Sequence, residues 1–264
     1  MREMTSTDAD TGAETKLKGD ERPNITVQRI NFLSSPRNIS TALMYSFAQH
    51  PEVAVVDEPL YAHYLRHQTT VAEHPGREAV LASQENDGEK VVAAMLNDDY
   101  GKPCVIFKQM THHLIALDLA FLDRMQNILL IRDPRAILSS YGKVVSEVSA
   151  QDVGIGQQHE LYHTLKAAGK LTAVVDSARL LQNPAGVLSR LCAAIGIAYT
   201  PAMLQWPAGP RPEDGVWAPY WYANVHASTG FQPYVPKDYP LPPHLEAIAE
   251  ACQPLYATLL EAAL

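Results

Sequence analysis

The sequence lacks most of the features that mark an exported, membrane-bound or nucleic-acid-binding protein. Its 264 residues include only three cysteines, Cys104, Cys192 and Cys252, which are far apart and form no C-x-x-C pair. This spacing argues against a disulfide framework and against a zinc ribbon. No run of lysine and arginine occurs, and the formal net charge is -8, which argues against nucleic acid or an anionic membrane as a partner. No apolar run approaches the roughly 20 residues that cross a bilayer, and no secretion signal is recognisable, so we expect a cytoplasmic protein without membrane contact.

Glycine is missing where a phosphate-binding loop would need it. Residues 32–47, FLSSPRNISTALMYSF, have the pattern of a buried strand, a short polar turn and a helix, which is the outline of such a loop. No glycine occurs between Gly19 and Gly76, whereas a Walker loop needs glycine before its Lys-Ser or Lys-Thr and a dinucleotide loop needs several glycines. The sequence therefore disfavours an ordinary ATPase and a dinucleotide-binding protein.

Strand and helix patterns alternate along most of the chain. Near-continuous apolar runs such as NILLI and TAVV are typical of parallel strands that are buried on both faces. We therefore predict an α/β protein of three layers, with a mostly parallel central sheet and helices on both of its faces. The segment LDLAFLDRM, residues 117–125, is one of the predicted helices, and PRAILSSYGKVV, residues 134–145, is another.

The composition also predicts how the chain is divided. Residues 1–22 carry almost no large apolar side chain and are predicted to be a disordered tail. Residues 23–264 are predicted to form a single domain. Within it, a Pro- and aromatic-rich segment, residues 198–243, covers the site, and residues 244–264 form a C-terminal helix. The aromatic residues of that segment fit a packed lid and the wall of a substrate pocket equally well.

Charged and hydroxyl-bearing side chains follow the predicted strands. They are Ser34 to Thr41 after the first strand, Asp57 and Glu58 after the second, Lys108 after the third, and Arg132, Asp133 and Arg135 after the fourth. Ligands of open parallel sheets bind at this edge, where helix starts present free N–H groups. The cations suit a ligand with more than one phosphate-like group. The alternative that Arg132 merely pairs with Asp133 stays open at this point.

Two histidine pairs with helical spacing open a different possibility. HELYH, residues 159–163, fits the H-E-x-x-H pattern, in which two histidines bind zinc and Glu160 acts as the base. No convincing third ligand lies nearby in the sequence. We therefore interpret HELYH and HYLRH, residues 63–67, as helix faces with partly exposed imidazoles, and we predict no metal.

Three segments resemble motifs of the sulfotransferase superfamily. SSPRNISTAL, residues 34–43, is similar to the 5′-phosphosulfate loop, with Asn38-Ile39 where many members have Ser-Gly. ILLIRDPRAILSSY, residues 128–141, resembles the 3′-phosphate motif, in which a strand-end Arg precedes a helical Ser by eight residues, here Arg132 and Ser140. VVDSARLLQNPAGVLSRLCAAIGI, residues 174–197, is similar to the fifth strand and the helices that follow it. The surroundings of Glu58 and the tail resemble a bacterial and plant subgroup, some members of which are named after aminotransferases.

The resemblance implies a sulfotransferase fold related to that of the P-loop nucleotide hydrolases, and 3′-phosphoadenosine 5′-phosphosulfate (PAPS) as co-substrate without a metal. The residues it implies for holding PAPS are Ser35, Arg37, Asn38, Ser40 and Thr41 at the 5′ end and Arg132 and Ser140 at the 3′-phosphate. HASTGF, residues 226–231, lies where relatives carry an Arg-Lys-Gly loop. It lacks those cations, and it adds Ser228 and Thr229 to the implied cofactor contacts.

The resemblance also implies catalytic roles. Arg37 would stabilise the departing phosphate oxygen, because sulfuryl transfer is promoted mainly by positioning and electrostatics. Relatives take the acceptor's proton with a Glu after the second strand or a His shortly after the third, and this chain offers both, Glu58 and His112 or His113. We favour Glu58, because VVDEP places it at a strand end. Lys108 would neutralise the sulfuryl oxygens or pair with Glu58.

The expected activity is transfer of a sulfuryl group from PAPS to a hydroxyl or amine of a small-molecule acceptor. One alternative is a protein that keeps the 3′-phosphoadenosine pocket but has lost turnover. Another is an ATP-dependent kinase, which would need magnesium and would ignore a 3′-phosphate. The sequence predicts neither the identity of the acceptor nor the oligomeric state.

Overall fold

A computed structural model of the protein describes residues 27–68, 74–141 and 148–264. The predicted N-terminal tail, residues 1–22, lies outside the described residues. So does the end of the predicted helix 134–145.

Five parallel strands form the centre of the molecule. They are β1 (Gln28–Ser34), β2 (Val53–Asp57), β3 (Cys104–Met110), β4 (Gln126–Ile131) and β5 (Leu171–Asp176). Their order across the sheet is β2-β3-β1-β4-β5, and all four pairings are parallel. Strand β3 is buried along its whole length, as expected for a strand that is covered on both faces.

Helices connect the strands and cover the sheet. Within the described ranges they are α1 (Ser40–Ala48), α2 (Tyr61–His67), α3 (Arg77–Ser83), α4 (Gly88–Asn97), α5 (Pro134–Tyr141), α6 (Ala150–Val153), α7 (Ile155–Ala167), α8 (Ser177–Gln182), α9 (Pro184–Ile195), α10 (Ala218–Trp221), α11 (Ala223–His226) and α12 (Pro243–Glu261). None of the helices described here combines the length and the apolar character that a membrane crossing requires.

The sheet carries a separate hydrophobic core on each face. On one face, strand residues such as Phe107 and Leu129 pack with α4, α5, α7 and α12. On the other face, Phe32 and Leu130 pack with α1, α8 and α9. Successive side chains of a strand point to opposite faces, so each strand supplies both cores. The predicted three-layer α/β architecture is confirmed.

The segment 117–125 differs from its predicted helix. The chain forms only a 3₁₀ turn there, Leu119–Arg124, before β4 begins at Gln126. The turn places Phe121 and Leu122 in the core, and Asp118 accepts a hydrogen bond from the backbone N–H of Ala120 at its start. A 3₁₀ turn brings apolar residues inward with nearly the same spacing as a helix, which explains why the pattern suggested a helix.

The strand order reverses direction next to β1. From β1 the chain passes to β2 and β3 on one side of the sheet, and then crosses β1 to reach β4 and β5 on the other side. Ligands of open α/β sheets bind outside the carboxyl ends of the strands at such a reversal. The segments after β1, β3 and β4 therefore meet at one edge, with the end of β2 beside them.

Candidate active site

The loop between β1 and α1 makes its tight turn without glycine. Arg37 has a φ of 57° and Ile39 a φ of 45°, so both residues adopt the left-handed backbone conformation that glycine usually supplies. This conformation costs of order 1–3 kcal/mol at each such residue and is common at binding sites. The turn leads directly into α1, so that Ser40 and Thr41 form the first turn of the helix.

The N-terminus of α1 is open to a ligand. Its N-cap position is occupied by Ile39, which has no side-chain group that can cap the helix, and no side-chain cap hydrogen bond is made. The first N–H groups of a helix need partners outside the helix, and together with the helix dipole they favour an anion. Ser40 and Thr41 add hydroxyl groups at the same place, and both residues line the cavity described below.

Two arginines connect this loop to β4 and α5. The Nε of Arg37 donates a hydrogen bond to Oγ of Ser140 on α5 at 2.9 Å. Arg132, at the end of β4, donates from Nη1 to the backbone carbonyl of Arg37. Arg132 therefore does not simply pair with Asp133, whose carboxylate accepts from the backbone N–H of Arg135 instead. The side chain of Arg135 forms an ion pair with Glu246 on α12, away from the cavity.

The side chain of Asn38 holds the loop against the sheet. Its Nδ2 donates to Oγ of Ser35 at 3.1 Å and to the backbone carbonyl of Leu130 on β4, and the residue is almost fully buried. Ser35 is fully buried beneath the loop and does not line the cavity. Through these two contacts the amide of Asn38 fastens the turn to Ser35 and to β4.

A buried network of charges lies at the ends of β2 and β3. Nζ of Lys108 donates to Oδ1 of Asp57 at 2.9 Å, to Oε1 of Glu58, and to the hydroxyl of Tyr222 at 2.9 Å. The three hydrogens of the ammonium group are thus matched by three acceptors. Oδ2 of Asp57 accepts from the Tyr222 hydroxyl at 2.7 Å. Oδ2 of Asp57 also accepts from the backbone N–H of Gly215 at 3.4 Å, so both oxygens of Asp57 have partners.

Glu58 has one carboxylate oxygen that Lys108 does not hold. Oε2 of Glu58 lies 3.9 Å from Nε2 of His113, which is too far for a hydrogen bond. The backbone of Glu58 is left-handed, with a φ of 40°, and strain of this kind clusters at functional sites. Burial raises the pKa of Glu58, while the neighbouring ammonium of Lys108 opposes the rise. A raised pKa makes a carboxylate a better proton acceptor.

The same network fixes the charge of Lys108. Burial by itself lowers the pKa of its ammonium group, but the carboxylates of Asp57 and Glu58 raise that pKa well above the ordinary value. Lys108 therefore stays charged in the folded protein. A charge that is fully buried needs such partners, because an unpaired one would cost several kcal/mol.

Three imidazoles complete this side of the site, and all three resist protonation. Burial, with a smaller effect of His74, lowers the pKa of His112 to about 3. Burial lowers the pKa of His74 to about 4 and that of His113 well below its ordinary value. The ring of His113 stacks on that of Tyr61 with centroids 5.0 Å apart. These histidines are neutral at physiological pH, so they contribute no positive charge.

The Pro- and aromatic-rich segment contributes to the same space. Tyr222 accepts a hydrogen bond from Nε1 of Trp217 at 3.0 Å and joins the lysine network. Trp206 instead packs in a separate cluster with Tyr45, and Tyr220 is exposed. The aromatic residues thus divide between the two interpretations, since some pack as core and others line the cavity. The structure has two short helices, α10 and α11, in this segment.

Groups from each of these segments border one cavity of about 410 Å³. This volume is within the range of about 300–1,000 Å³ that is common for small-molecule sites. Of the residues that the sequence predicted, those that line the cavity are Arg37, Asn38, Ser40, Thr41, Glu58, Lys108, His112, Arg132, Ser140 and Ser228. Ser35 and Thr229 do not line it. The roles of all twelve remain predictions.

The HASTGF segment reaches the cavity only in part. Oγ of Ser228 accepts a hydrogen bond from Nε1 of Trp206 at 3.1 Å and donates to the carbonyl of Val225. Thr229 is exposed and borders a second, shallower pocket beside Trp206. This segment therefore holds the covering structure together through Ser228.

The environment of one of the four paired histidines differs from the prediction. His159 and His163 lie near each other on α7, with their Nε2 atoms 3.2 Å apart, and Glu160 beside them is exposed. In the ranges that the structure describes, no three or more His, Cys, Asp or Glu side chains come together to hold a metal ion. His63 is buried and bonds the carbonyl of Ile115 through Nε2. The interpretation of a partly exposed imidazole was wrong for His63.

Sequence reasoning missed several residues of the site. Tyr61 and His74 line the cavity, but nothing local in the sequence separates them from other helix and loop residues. Asp57 follows the second predicted strand, but the sequence suggested no role for it, and nothing distinguished Tyr222 from the other aromatic residues of segment 198–243. Their contact could be found only from the fold, since 165 positions separate them.

The chain matches a known family over most of its length. A family model described as a sulfotransferase domain covers residues 28–263. The chain belongs to the sulfotransferase family. The membership agrees with the fold and with the motifs at the ends of β1 and β4.

This sulfotransferase-family chain has relatives in plants. It is 40% identical over 236 residues to branched-chain-amino-acid aminotransferase-like protein 1 of Arabidopsis thaliana, and 38% identical over 234 residues to protein 2 of the same name. Each match covers 87% of this chain, and the chain spans 41% of the length of each relative. The predicted resemblance to a subgroup named after aminotransferases is confirmed.

Solved sulfotransferase structures share the fold. The sulfotransferase domain from the curacin biosynthetic pathway superposes with a TM-score of 0.56 at 17% identity, over 86% of this chain and 98% of that domain. A sulfotransferase from Alicyclobacillus acidocaldarius superposes with a TM-score of 0.52 at 12% identity, over 90% of this chain and 97% of the other. The predicted sulfotransferase fold is confirmed.

Proposed function

We propose that this sulfotransferase-family protein moves a sulfuryl group from PAPS to a hydroxyl or amine of a small-molecule acceptor. The observation that carries the proposal is the division of one cavity into two unlike sides. On the side of β1 and β4 lie the open start of α1 and the two arginines Arg37 and Arg132. On the side of β2 and β3 lies Glu58, with a raised pKa and one oxygen that Lys108 does not hold.

The first side suits the phosphate groups of the co-substrate. The open N–H groups of α1 and the hydroxyls of Ser40 and Thr41 can donate to an anion, and this is the chemistry that a 5′-phosphosulfate requires. Arg132 and Ser140 are 8 positions apart on the β4–α5 segment, and both line the cavity. We assign them to the 3′-phosphate, with Arg37 between the two phosphate positions.

When bound, PAPS supplies an activated sulfuryl group, so that a bond from the acceptor oxygen or nitrogen to sulfur forms while the bond from sulfur to the 5′-phosphate oxygen breaks and 3′,5′-ADP leaves. Arg37 stabilises the negative charge that develops on the phosphate oxygen, since charge stabilisation by fixed cations is a main source of catalysis in such transfers. Glu58 accepts the proton of the acceptor at Oε2. His112 and His113 are weaker bases, because their pKa values are lowered.

We assign Lys108 to positioning rather than to contact with the sulfuryl oxygens. Its ammonium group already has Asp57, Glu58 and Tyr222 as partners. These bonds fix the direction of the Glu58 carboxylate and keep it from turning away from the cavity. Of the two roles predicted for Lys108, this arrangement favours pairing with Glu58 over neutralising the sulfuryl oxygens.

The composition of the HASTGF segment favours one competing function. The segment contains no lysine or arginine that could bind a 3′-phosphate in the cavity. We therefore expect weaker binding of that phosphate. A protein that binds the nucleotide without turnover is therefore the second candidate. The intact Glu58 network supports turnover, so we rank that candidate below catalysis.

A thermal-shift titration tests the proposal. The purified protein is titrated with 3′,5′-ADP, ADP and ATP, with and without magnesium, beside the variants Arg132→Ala and Arg135→Ala. A ligand at about 100 times its dissociation constant adds about 2.7 kcal/mol of stability, which moves the unfolding midpoint by several degrees. Arg135→Ala is a matched control, because that side chain pairs with Glu246 and does not line the cavity.

The outcomes separate the candidates. A magnesium-independent shift with 3′,5′-ADP, lost in Arg132→Ala and kept in Arg135→Ala, supports the co-substrate site. If that shift is present but no acceptor is sulfonated with PAPS, the non-catalytic candidate holds instead. A preference for ATP with magnesium indicates a kinase, and no shift with any nucleotide overturns the assignment of the site.

A further inference from the structure

The part of the cavity over β2 and β3 has a wall of aromatic rings and imidazoles around one carboxylate. We call this part the acceptor lobe; it is formed by Glu58, Tyr61, His112, His113, Trp217 and Trp221. The opposite part, with the start of α1, Arg37 and Arg132, is separated from it by the order of the strands, because β2 and β3 lie on one side of β1 and β4 on the other. The lobe is where an acceptor would meet Glu58.

The acceptor lobe has more negative than positive charge. Its buried charge network contains two carboxylates, Asp57 and Glu58, and one ammonium group, Lys108. The three hydrogens of that ammonium group already have acceptors, so Lys108 offers no donor to a ligand. When both carboxylates are ionised, one negative charge is left over, and it lies next to the cavity at Glu58.

No other cation of the described residues compensates for this charge inside the lobe. The arginines that line the cavity are Arg37 and Arg132. Arg37 donates a hydrogen bond to Ser140 on α5, and Arg132 donates one to the β1–α1 loop. The imidazoles of His112 and His113 are neutral, because burial lowers their pKa values. An anionic acceptor would therefore lose its hydration without gaining a positive partner, which disfavours its binding.

The aromatic wall is able to hold a positive charge. Tyr61 and Trp217 meet edge to face with ring centroids 5.2 Å apart, and the indole of Trp221 also lines the cavity. A cation within about 6 Å of such a ring is attracted to its face.

We infer that the acceptor is a hydroxylated amine that enters the lobe with a positive charge, its cationic group against the rings of Tyr61, Trp217 and Trp221 and its hydroxyl group at Glu58. The inference rests on the proposed function, because it names the class of acceptor for the same site. The positive group offsets the negative charge left over in the network.

Three phenols of the same size test this inference. Tyramine, 4-ethylphenol and 3-(4-hydroxyphenyl)propionate carry charges of about +1, 0 and -1 at neutral pH on nearly the same framework. Their dissociation constants are measured by calorimetry at pH 7.5, with and without saturating 3′,5′-ADP. We expect tyramine to bind about tenfold more tightly than 4-ethylphenol, a difference typical of a partly desolvated cation–aromatic contact, and the propionate to bind most weakly.

Two variants each add one positive charge, the first inside the acceptor lobe and the second outside it. Trp221→Arg places a cation at the cavity wall, and we expect it to reverse the order so that the propionate binds more tightly than tyramine. Tyr220→Arg is the matched control, since Tyr220 precedes Trp221 on the same helix but is 55% exposed. It should keep the order of the unaltered protein.

The inference and the proposed function can fail separately. Binding by calorimetry needs no turnover, so the order of the three phenols is measured even if no PAPS-dependent product forms. The shift with 3′,5′-ADP reports on the co-substrate site independently of the phenols. Equal binding of the three phenols, tightest binding of the neutral or anionic one, or binding of none of them overturns the inference.

Discussion

The hydroxyl group of Tyr222 donates a hydrogen bond to Oδ2 of Asp57 at 2.7 Å, across 165 positions of sequence. The same oxygen of Tyr222 accepts from Lys108 at 2.9 Å and from Nε1 of Trp217 at 3.0 Å. The Pro- and aromatic-rich segment, residues 198–243, is therefore bonded directly to the charge network that holds Glu58. Displacement of the segment would break these bonds, so the segment and Glu58 are parts of one hydrogen-bonded arrangement.

Replacement of Tyr222 by Phe should reduce both stability and activity. Tyr222→Phe removes the acceptor of two donors and the donor to Asp57, and it leaves buried polar groups unsatisfied. We expect a loss of about 1–3 kcal/mol and a fall of several degrees in the unfolding midpoint. Denaturant titration measures the free energy of unfolding, and the exposed Tyr220→Phe is the control that should change it little. A midpoint for Tyr222→Phe equal to that of the control would show that the hydroxyl contributes nothing.

Replacement of Lys108 should be among the most damaging single changes in the site. Lys108→Met keeps an unbranched apolar chain but leaves Asp57 and Glu58 as buried carboxylates without a cation. The loss of one partner of a buried ion pair costs about 3–5 kcal/mol. Lys102→Met is the control, because Lys102 is an exposed lysine that bonds only the carbonyl of Pro51 among the described residues. Chemical denaturation measures the free energy of unfolding of the two variants. Equal values would contradict the claim that Lys108 balances the buried carboxylates.

Replacement of Glu58 by Gln should separate stability from activity. Burial raises the pKa of Glu58 above its ordinary value of 4.5. A group whose pKa is raised by folding contributes stability that is fully present below 4.5 and is lost as the pH rises through the higher folded-state pKa. Glu58→Gln avoids that loss, so the variant should unfold at a higher temperature than the unaltered protein at pH 7–8. The advantage should shrink as the pH falls toward 4.5, and a constant difference across this range would contradict the assignment.

The same variant should lose catalysis while a neighbouring variant keeps it. A general base contributes about 10²–10⁴-fold to a rate, so we expect Glu58→Gln to slow PAPS-dependent sulfonation by at least about 100-fold. His112→Asn should retain most of the activity, because an imidazole with a pKa of about 3 is a weak base at neutral pH. Full activity of both variants would require the mechanism to be abandoned.

The motifs at the strand ends could be predicted because they are local. The strand, turn and helix of residues 32–47 follow from apolar runs and from the polar residues between them, and parallel strands necessarily bring their carboxyl ends to one edge. The residues that line the cavity at the ends of β1 and β4 could be predicted for this reason. Arg135 shows the limit of the argument, since it follows the same strand as Arg132 but pairs with Glu246 on α12.

The sequence by itself determined the alternation of strands and helices, the position of the residues at the strand ends and the family resemblance, because each depends on residues that are close together in the chain. Only the tertiary structure decided that Lys108 bonds Asp57, Glu58 and Tyr222 at once. Only it also showed that Thr229 lies outside the cavity while Tyr61 and His74 line it. The physical reason is that burial and charge pairing depend on which distant segments meet, and this is set by the packing of the whole fold rather than by any local pattern.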